Sequence, residues 1–484
     1  MYSIFLRQII TTLCLFSSSL VAIELNGTTD IHDPSTIMRD GNTYWTFGTG
    51  AGNATLPLNA LYSTDMVNWQ RGSSPIAPGG YPSWIDNKVT GFDGNFWAPD
   101  VIKMKGKYYL YYSAFSATQG MQSAIGVMVT DSLNNPNWQD LGMVVSTQDE
   151  PLSAQGQPVN TIDAGLYRDT QGKVWMIYGS HYAGLFIRQI DPDSGLLFDS
   201  QRYDAVGNNG DWNEFEAAQV QYLHGYYYLF ANLGDCCAGS DSNYYIVMGR
   251  STSPTGPFLD KTGTDMWSYG GTNVLSTSGN YIGPGHFGYL RHGAQDFVTI
   301  HYYDGTTASG WPARLDLLKW ETGSDGWPQF RRDFSLGGDT HLSDGRVTIT
   351  SVLSGKALEV ENAGTANGDN IILWDYWGGT NQQWELTHIG GGYYTIINAN
   401  SLQSVDVYNW SMQNGGQISQ WPLWGGEGQR WLLEYAGNGR FAIKSYWSDL
   451  ALDVFNMDVN AGADVVQWEY WGGDGQLWLI NYVD

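Results

Sequence analysis

The strongest constraint on how this chain can fold is a motif written three times at one fixed interval. ILWDYWGG, SQWPLWGG and VQWEYWGG place Trp374, Trp421 and Trp468 47 residues apart, and Trp377, Trp424 and Trp471 keep the same interval. Upstream, Leu358–Val360 reads LEV, Val405–Val407 reads VDV and Leu452–Val454 reads LDV. Each unit closes on Gln-x-Trp, at Gln382 and Trp384, Gln429 and Trp431, and Gln476 and Trp478. Three copies in strict register predict three equivalent structural units around one shared core.

The first half repeats more loosely. Glycine turns at Gly41, Gly106, Gly172, Gly225 and Gly293 each sit beside short aromatic strands such as KGKYYLYY and QGKVWMIY. Each reads as a β-hairpin, and no convincing amphipathic helix interrupts them. Five such units predict a five-bladed β-propeller, one blade per unit, although the strand pattern alone also admits a two-sheet sandwich. The composition agrees with short strands and tight turns, with Gly 61, Trp 22 and Tyr 31 but only 15% charged residues. At 484 residues two domains are expected. The predicted layout of this all-β chain is a signal segment at 1–22, a propeller at 23–335, a linker at 336–344 and a β-trefoil at 345–484.

Arg7, the apolar run Ile9–Phe16 and the small residues after it read as a secretory signal, too short to span a bilayer. Sequons at Asn26, Asn53 and Asn409 fit a secreted, extracellular chain. With Cys14 in the signal, only the adjacent Cys236 and Cys237 remain. They form either a small strained ring or two buried thiols, and in neither case a disulfide scaffold. The net charge of −25 argues against nucleic acid or an anionic membrane as partner and favours a neutral polymer. A monomer is expected.

A polar residue precedes each turn glycine by a similar distance: Asp33 by eight, Asp100 by six, Asp163 by nine, Glu216 by nine and His286 by seven. Equivalent positions in successive blades converge on the propeller axis. Carboxylates gathered there would perturb one another's ionisation, as acid–base catalysis requires. A lone Asp before a strand is ordinarily a turn residue; the fivefold repetition is what points beyond that.

HDPS at 32–35, FWAPD at 96–100, TIDAG at 161–165, FEAAQ at 215–219, GPGH at 283–286 and DGWP at 325–328 resemble glycoside hydrolase family 43. With NLGDCCAG at 232–239 and GRS at Gly249–Ser251, the set is similar to the arabinan endo-1,5-α-L-arabinosidase branch. The resemblance implies hydrolysis with inversion, with Asp33 as the base that activates water, Glu216 as the general acid and Asp163 holding that acid protonated. An inverting pair stands roughly 6.5–9.5 Å apart to admit water. It further implies a hydrated calcium ion in the channel near His286, a Trp97 floor to the sugar subsite, and a neutral plant cell-wall polysaccharide as substrate. Asp100 reads as structural. Ala164 and Ala218 replace the proline usual in that branch, and YGSHYAGL at 178–185 departs from its aromatic-rich form, so linkage and endo or exo action stay open. An exo-acting arabinofuranosidase, xylosidase or galactanase is the alternative among enzymes. A lectin-like protein on an inactive scaffold is the alternative of another class.

The C-terminal repeats resemble a ricin-type β-trefoil of carbohydrate-binding module family 13. In that family an acid and an aromatic about fifteen positions later form each sugar pocket. The pairs here are Glu359 with Trp374, Asp406 with Trp421, and Asp453 with Trp468, the carboxylate binding hydroxyls and the indole stacking on the ring. The Gln-x-Trp residues are expected in the core.

Overall fold

The structure is a computed structural model. It describes residues 24–483 apart from 41–42, 52–54, 119, 208–213, 224, 293–294, 324, 335–341, 343, 391–392 and 438. The signal segment 1–22, the sequon at Asn53, the turn glycines Gly41 and Gly293, and linker residues 336–341 and 343 lie outside the described residues.

Among the described residues the first half folds into five sheets, each numbered here as a blade. Blade 1 holds Met38–Asp40, Thr43–Thr49, Leu58–Ser63 and Asn68–Arg71. Blade 2 runs from Trp97–Met104 to Gln139–Ser146, blade 3 from Gly165–Arg168 to Tyr203–Val206, blade 4 from Glu216–Leu223 to Thr272–Leu275, and blade 5 from Tyr281–His292 to Pro328–Arg331. The chain is a propeller and not a sandwich. Strands buried on both faces explain the near-continuous apolar runs: Val174–Tyr178 is buried at every residue. A separate apolar cluster fills each gap between neighbouring blades. Ile102, Tyr109 and Val127 of blade 2, for example, pack on Leu166, Val174 and Phe186 of blade 3. Ring closure uses the N-terminal segment. Asn26–Gly27 pairs in parallel with Asn68–Arg71, while the Ile31 and Leu315 amides reach the Ala313 and Thr29 carbonyls at 3.0 and 2.8 Å.

The inner strand of every blade opens with the same kink. One residue at its start takes a left-handed backbone: Asp33 (φ 52°), Ala98 (φ 37°), Asp163 (φ 59°), Ala217 (φ 51°) and His286 (φ 58°). A left-handed non-glycine residue costs roughly 1–2 kcal/mol and persists only where its surroundings fix it. Here the fixing group is a side chain on the preceding blade. The Asp33 amide donates to His301 Nδ1 (3.1 Å), Ala98 to Thr49 Oγ1 (2.9 Å), Asp163 to Ser113 Oγ (3.0 Å) and His286 to Asn232 Oδ1 (3.0 Å). Thr49, Ser113, Asn232 and His301 occupy one equivalent position, opposite His32, Trp97, Glu216 and Gly285.

In blade 3 that position is Gly179, whose amide pairs with the Ile162 carbonyl. A Cβ there would stand 2.6 Å from the Gly184 carbonyl oxygen, so no side chain fits. The carboxylate of Asp163 takes over the duty instead, accepting from the Ala217 amide at 3.2 Å.

This register corrects the equivalence drawn from the sequence. Asp33, Asp163 and His286 are equivalent, but their counterparts in blades 2 and 4 are Ala98 and Ala217. Glu216 sits one residue before the kink and Asp100 two after it. The kink residues Asp33, Ala98 and Ala217 each lie eight positions before their turn glycine, so the spacing itself was sound; choosing the nearest polar residue is what moved the reading to Asp100 and Glu216.

The second half, from Gly345–Ser351 to Trp478–Tyr482, is one closed twelve-stranded sheet system in three repeats. Trp384, Trp431 and Trp478 are fully buried, and each indole N–H donates to a carbonyl 26 residues earlier, at Leu358, Val405 and Leu452. Buried Gln382, Gln429 and Gln476 accept from the amides of Trp377, Trp424 and Trp471. The Gln-x-Trp residues are therefore core, as expected. The trefoil lies across the end of the propeller where the inner strands finish, opposite the kinks. Lys103 Nζ sits 3.2 Å from the centre of the Tyr446 ring, and Asn414 Nδ2 donates to the Thr170 carbonyl at 3.4 Å. A cavity of about 1620 Å³ separates the two domains.

The capping ring predicts a specific weakness. Ser113→Ala leaves the buried Asp163 amide without its acceptor, and should lower the propeller's unfolding free energy by about 1–3 kcal/mol. Denaturant unfolding checks this as a lowered midpoint with an unchanged slope.

Candidate active site

The kinks turn the first side chains of the inner strands toward one end of the channel, and there the structure brings Asp33, Asp163, Glu216 and His286 together. Asp33 Oδ2 meets His32 Nδ1 at 2.7 Å and accepts from Thr49 Oγ1 at 2.5 Å. Its Oδ1 faces His301 Nδ1 at 3.5 Å and His286 Nδ1 at 3.6 Å. Burial pushes the Asp33 carboxyl up, but the hydrogen bond and field of His32, with His286 and His301 behind it, outweigh this and hold it far below the usual carboxylate range. Burial in turn drives the His286 and His301 imidazoles below their ordinary values.

Asp163 and Glu216 lie in contrasting surroundings. Glu216 Oε1 accepts from the Tyr244 hydroxyl at 2.8 Å, and Oε2 from Ser180 Oγ at 2.9 Å, with His181 Nε2 at 3.0 Å. Asp163 has the Ala217 amide. Burial raises both carboxyls. Around Glu216 the bonds from His181, Tyr244 and Ser180 outweigh burial and lower it; around Asp163 burial, then the charges of Glu216 and Asp33, raise it well above the usual range. The two carboxyls titrate as a pair, with the protonated form favoured at Asp163 and disfavoured at Glu216 in the free site. This reverses the expected direction, in which Asp163 held Glu216 protonated. The sequence could not reveal the three donors to Glu216, because Ser180, His181 and Tyr244 come from loops outside the repeat.

Trp97, half-buried at the start of its strand, stacks on Phe115 with ring centres 4.8 Å apart. Asp100 is buried and accepts from the Thr36 and Leu166 amides and from Gln219 Nε2. It ties blades 1, 3 and 4 to blade 2, the structural role expected of it. Cys236 and Cys237 form a disulfide at the rim, where Cys237 Sγ lies 3.9 Å from His32 Nε2.

The groups near His286 test the expected calcium ion. His32, Asp33 and His301 present two ring nitrogens and one carboxylate oxygen within 4.8 Å of one another, and His286 adds a third ring. A hard cation takes roughly six to eight oxygens, so this set fits calcium only as a hydrated ion held through its own waters.

In the trefoil, buried Glu359 and Asp453 and half-buried Asp406 occupy matching places, and each acid bonds the side chain of a second tryptophan. Trp424 Nε1 donates to Asp406 Oδ2 at 3.2 Å, and Trp471 Nε1 to Asp453 Oδ2 at 3.3 Å. Glu359 accepts from Gln382 Nε2 at 2.7 Å and bonds the Trp377 side chain. Trp374 and Trp421 are 41% and 37% exposed and Trp468 is half-buried, each at the end of its strand. Their ring edges lie beside Gly462, Gly368 and Gly415 of a neighbouring repeat. Each acid thus meets the tryptophan 18 positions on, because the strand turns away after the fifteenth. Burial lifts all three carboxyls, that of Asp453 to about 6.

Comparison with known proteins agrees with this architecture. Residues 330–421 match the ricin-type beta-trefoil lectin domain-like family. An extracellular exo-alpha-(1->5)-L-arabinofuranosidase of Cellvibrio japonicus is 34% identical over 314 residues, covering 62% of this chain and 86% of the relative. An extracellular endo-alpha-(1->5)-L-arabinanase of Bacillus subtilis is 34% identical over 310 residues, covering 62% of this chain and 87% of the relative. The solved endo-arabinanase of Bacillus licheniformis superimposes with a TM-score of 0.56 at 35% identity, covering 63% of this chain and 99% of that one. Residues 27–328 match glycosyl hydrolases family 43 across most of the chain, and the protein belongs to that family of glycoside hydrolases.

Proposed function

We propose that the protein is a secreted enzyme that cleaves α-1,5-linked arabinan within the chain and with inversion. The observation that carries this reading is the division of charge at the channel end. Asp33 is held as an anion among imidazoles, while Asp163 and Glu216 keep one proton between them. An anionic base facing a protonated acid is what a single-displacement hydrolysis needs.

Asp33 takes a proton from water as the water oxygen bonds to the anomeric carbon. The glycosidic C–O bond breaks, and the pair's proton passes through Glu216 to the leaving oxygen. Asp163 stores that proton and, through the Ala217 amide, fixes the backbone beside Glu216. Trp97 on Phe115 offers an apolar floor for the sugar ring. A hydrated calcium ion near His286 and Asp33 would supply positive charge on the axis. Relatives acting inside the chain and from its end are equally identical to this one. The endo reading rests on the branch motifs. The trefoil holds the enzyme on neutral plant cell-wall polysaccharide as a monomer, raising the effective concentration of substrate. The charge of −25 opposes binding to nucleic acid or an anionic membrane.

On debranched arabinan, early products should be oligosaccharides of mixed length; release of arabinose alone would refute endo action. Glu216→Gln should lower kcat by about 10²–10⁴-fold while arabinan binding persists, and undiminished turnover would refute the acid assignment.

The pH profile follows from the shifts. Asp33 stays ionised through the acid range because its carboxyl is depressed, so it does not set the acid limb. Activity should instead be lost as pH rises through the raised carboxyl of the Asp163–Glu216 pair. Asp163→Asn takes the second carboxyl out of the pair and leaves Glu216 to the three donors that lower it, so the alkaline limb of kcat/KM should move to lower pH.

The double variant Asp406→Ala, Trp424→Ala should reduce action on insoluble arabinan more than on soluble oligosaccharide. Equal losses would make that trefoil pocket structural.

A further inference from the structure

A column of four rings climbs from the buried acids to the surface. Tyr244, bonded to Glu216, lies parallel to His301 at 6.1 Å and 11°. His301 stacks on His32 at 4.0 Å and 23°, and His32 on Trp311 at 5.8 Å and 19°. Exposure rises along the column: the His301 side chain is fully buried, that of His32 is 12% exposed, and Trp311 is 44% exposed. An indole that large left open to solvent beside a catalytic carboxylate is otherwise unexplained by packing.

The ground under Trp311 is built to hold it still. The Ser240 amide donates to the Ser309 carbonyl at 2.9 Å, stitching the disulfide loop to the loop that carries Trp311. Gly239 lies against the indole, and a Cβ there would come 2.8 Å from Trp311 Cδ1. The Cys237 amide donates to the Tyr303 hydroxyl at 2.9 Å, and the Tyr303 ring meets Trp311 edge-on at 5.1 Å. The disulfide therefore extends the indole as a second rigid, weakly polar surface at the same rim.

We propose that Trp311, with the Cys236–Cys237 disulfide beside it, is a sugar-stacking platform for a further unit of the neutral polysaccharide, beyond the unit cleaved at Asp33. The chemistry is that of a flat apolar face receiving the C–H face of a furanose ring, with little side-chain freedom to lose. With Trp97 and Phe115 on blade 2 and Trp311 on blade 5, an arabinan chain is gripped on both sides of the acids, which suits internal cleavage. This rests on the arabinan reading above.

The test compares arabino-oligosaccharides of three to six units with wild type, Trp311→Leu and Trp311→Phe, with unfolding midpoints recorded for each. Trp311→Leu should lose about tenfold in kcat/KM on the hexasaccharide and progressively less as the chain shortens, and should shift the sizes of its products. Trp311→Phe, which keeps a flat face, should retain most of the wild-type value. A loss equal at every length, or none, or a leucine variant as good as the phenylalanine variant, overturns the platform. Failure of the wild type to cleave any arabino-oligosaccharide would instead overturn the arabinan reading.

Discussion

The propeller and its chemistry hang on five backbone amides that the left-handed kinks turn out of the sheets. None can be satisfied within its own blade, so each is bonded by the neighbour before it in the ring. A fold arranged this way cannot lose one blade quietly, because every blade caps the next. Four of the caps are neutral side chains at one repeated position. The fifth falls to Asp163, because glycine alone fits at residue 179. The same carboxylate that completes the ring is thereby fixed beside Glu216, so structural and chemical demands meet in one side chain.

Burial alone would neutralise every acid at the channel end. What separates them is the company each keeps. Asp33 is ringed by imidazoles, and the donors that reach Glu216 leave Asp163 as the natural resting place of the shared proton. Within the pair the two acids are told apart by direct donors to Glu216, among them Tyr244 and Ser180, which carry no charge of their own at neutral pH. His181, lying 3.0 Å from Glu216, belongs to the segment in which this chain departs from the arabinanase-like pattern. Among the groups that lower the Glu216 carboxyl, its imidazole acts most strongly.

Much of this was legible in the sequence, for reasons that can be named. The 47-residue interval survives because three identical units must fill one core with Trp384, Trp431 and Trp478, and that demand tolerates no drift in spacing. The five hairpins and the gathering of Asp33, Asp163, Glu216 and His286 were legible too. The finer register was not. An alanine carries no chemical mark, so polar Glu216 was aligned with Asp33 although Ala217, at the same distance from its turn glycine, is the true counterpart. In the trefoil, the tryptophan fifteen positions after each acid ends the strand paired with it, and the sequence did not reveal that a second indole, eighteen positions on, bonds the acid. The disulfide of Cys236 and Cys237 was left open between two readings, since neighbouring cysteines say nothing by themselves about their oxidation.

The way the two domains meet has a consequence for the three repeats. Three repeats set against a ring of five blades cannot all meet it alike, so the units are identical in sequence spacing yet unequal in surroundings. Asn414 of the second repeat bonds blade 3, and Glu469 of the third faces Asp169, which with burial lifts its carboxyl to about 7. Their counterparts in the first repeat, Asn367 and Asp375, meet no blade: Asn367 bonds Gln403 within the trefoil, and the Asp375 side chain is 76% exposed. Selection can therefore act on each repeat separately, one as anchor and another as antenna, while the common core keeps all three in step.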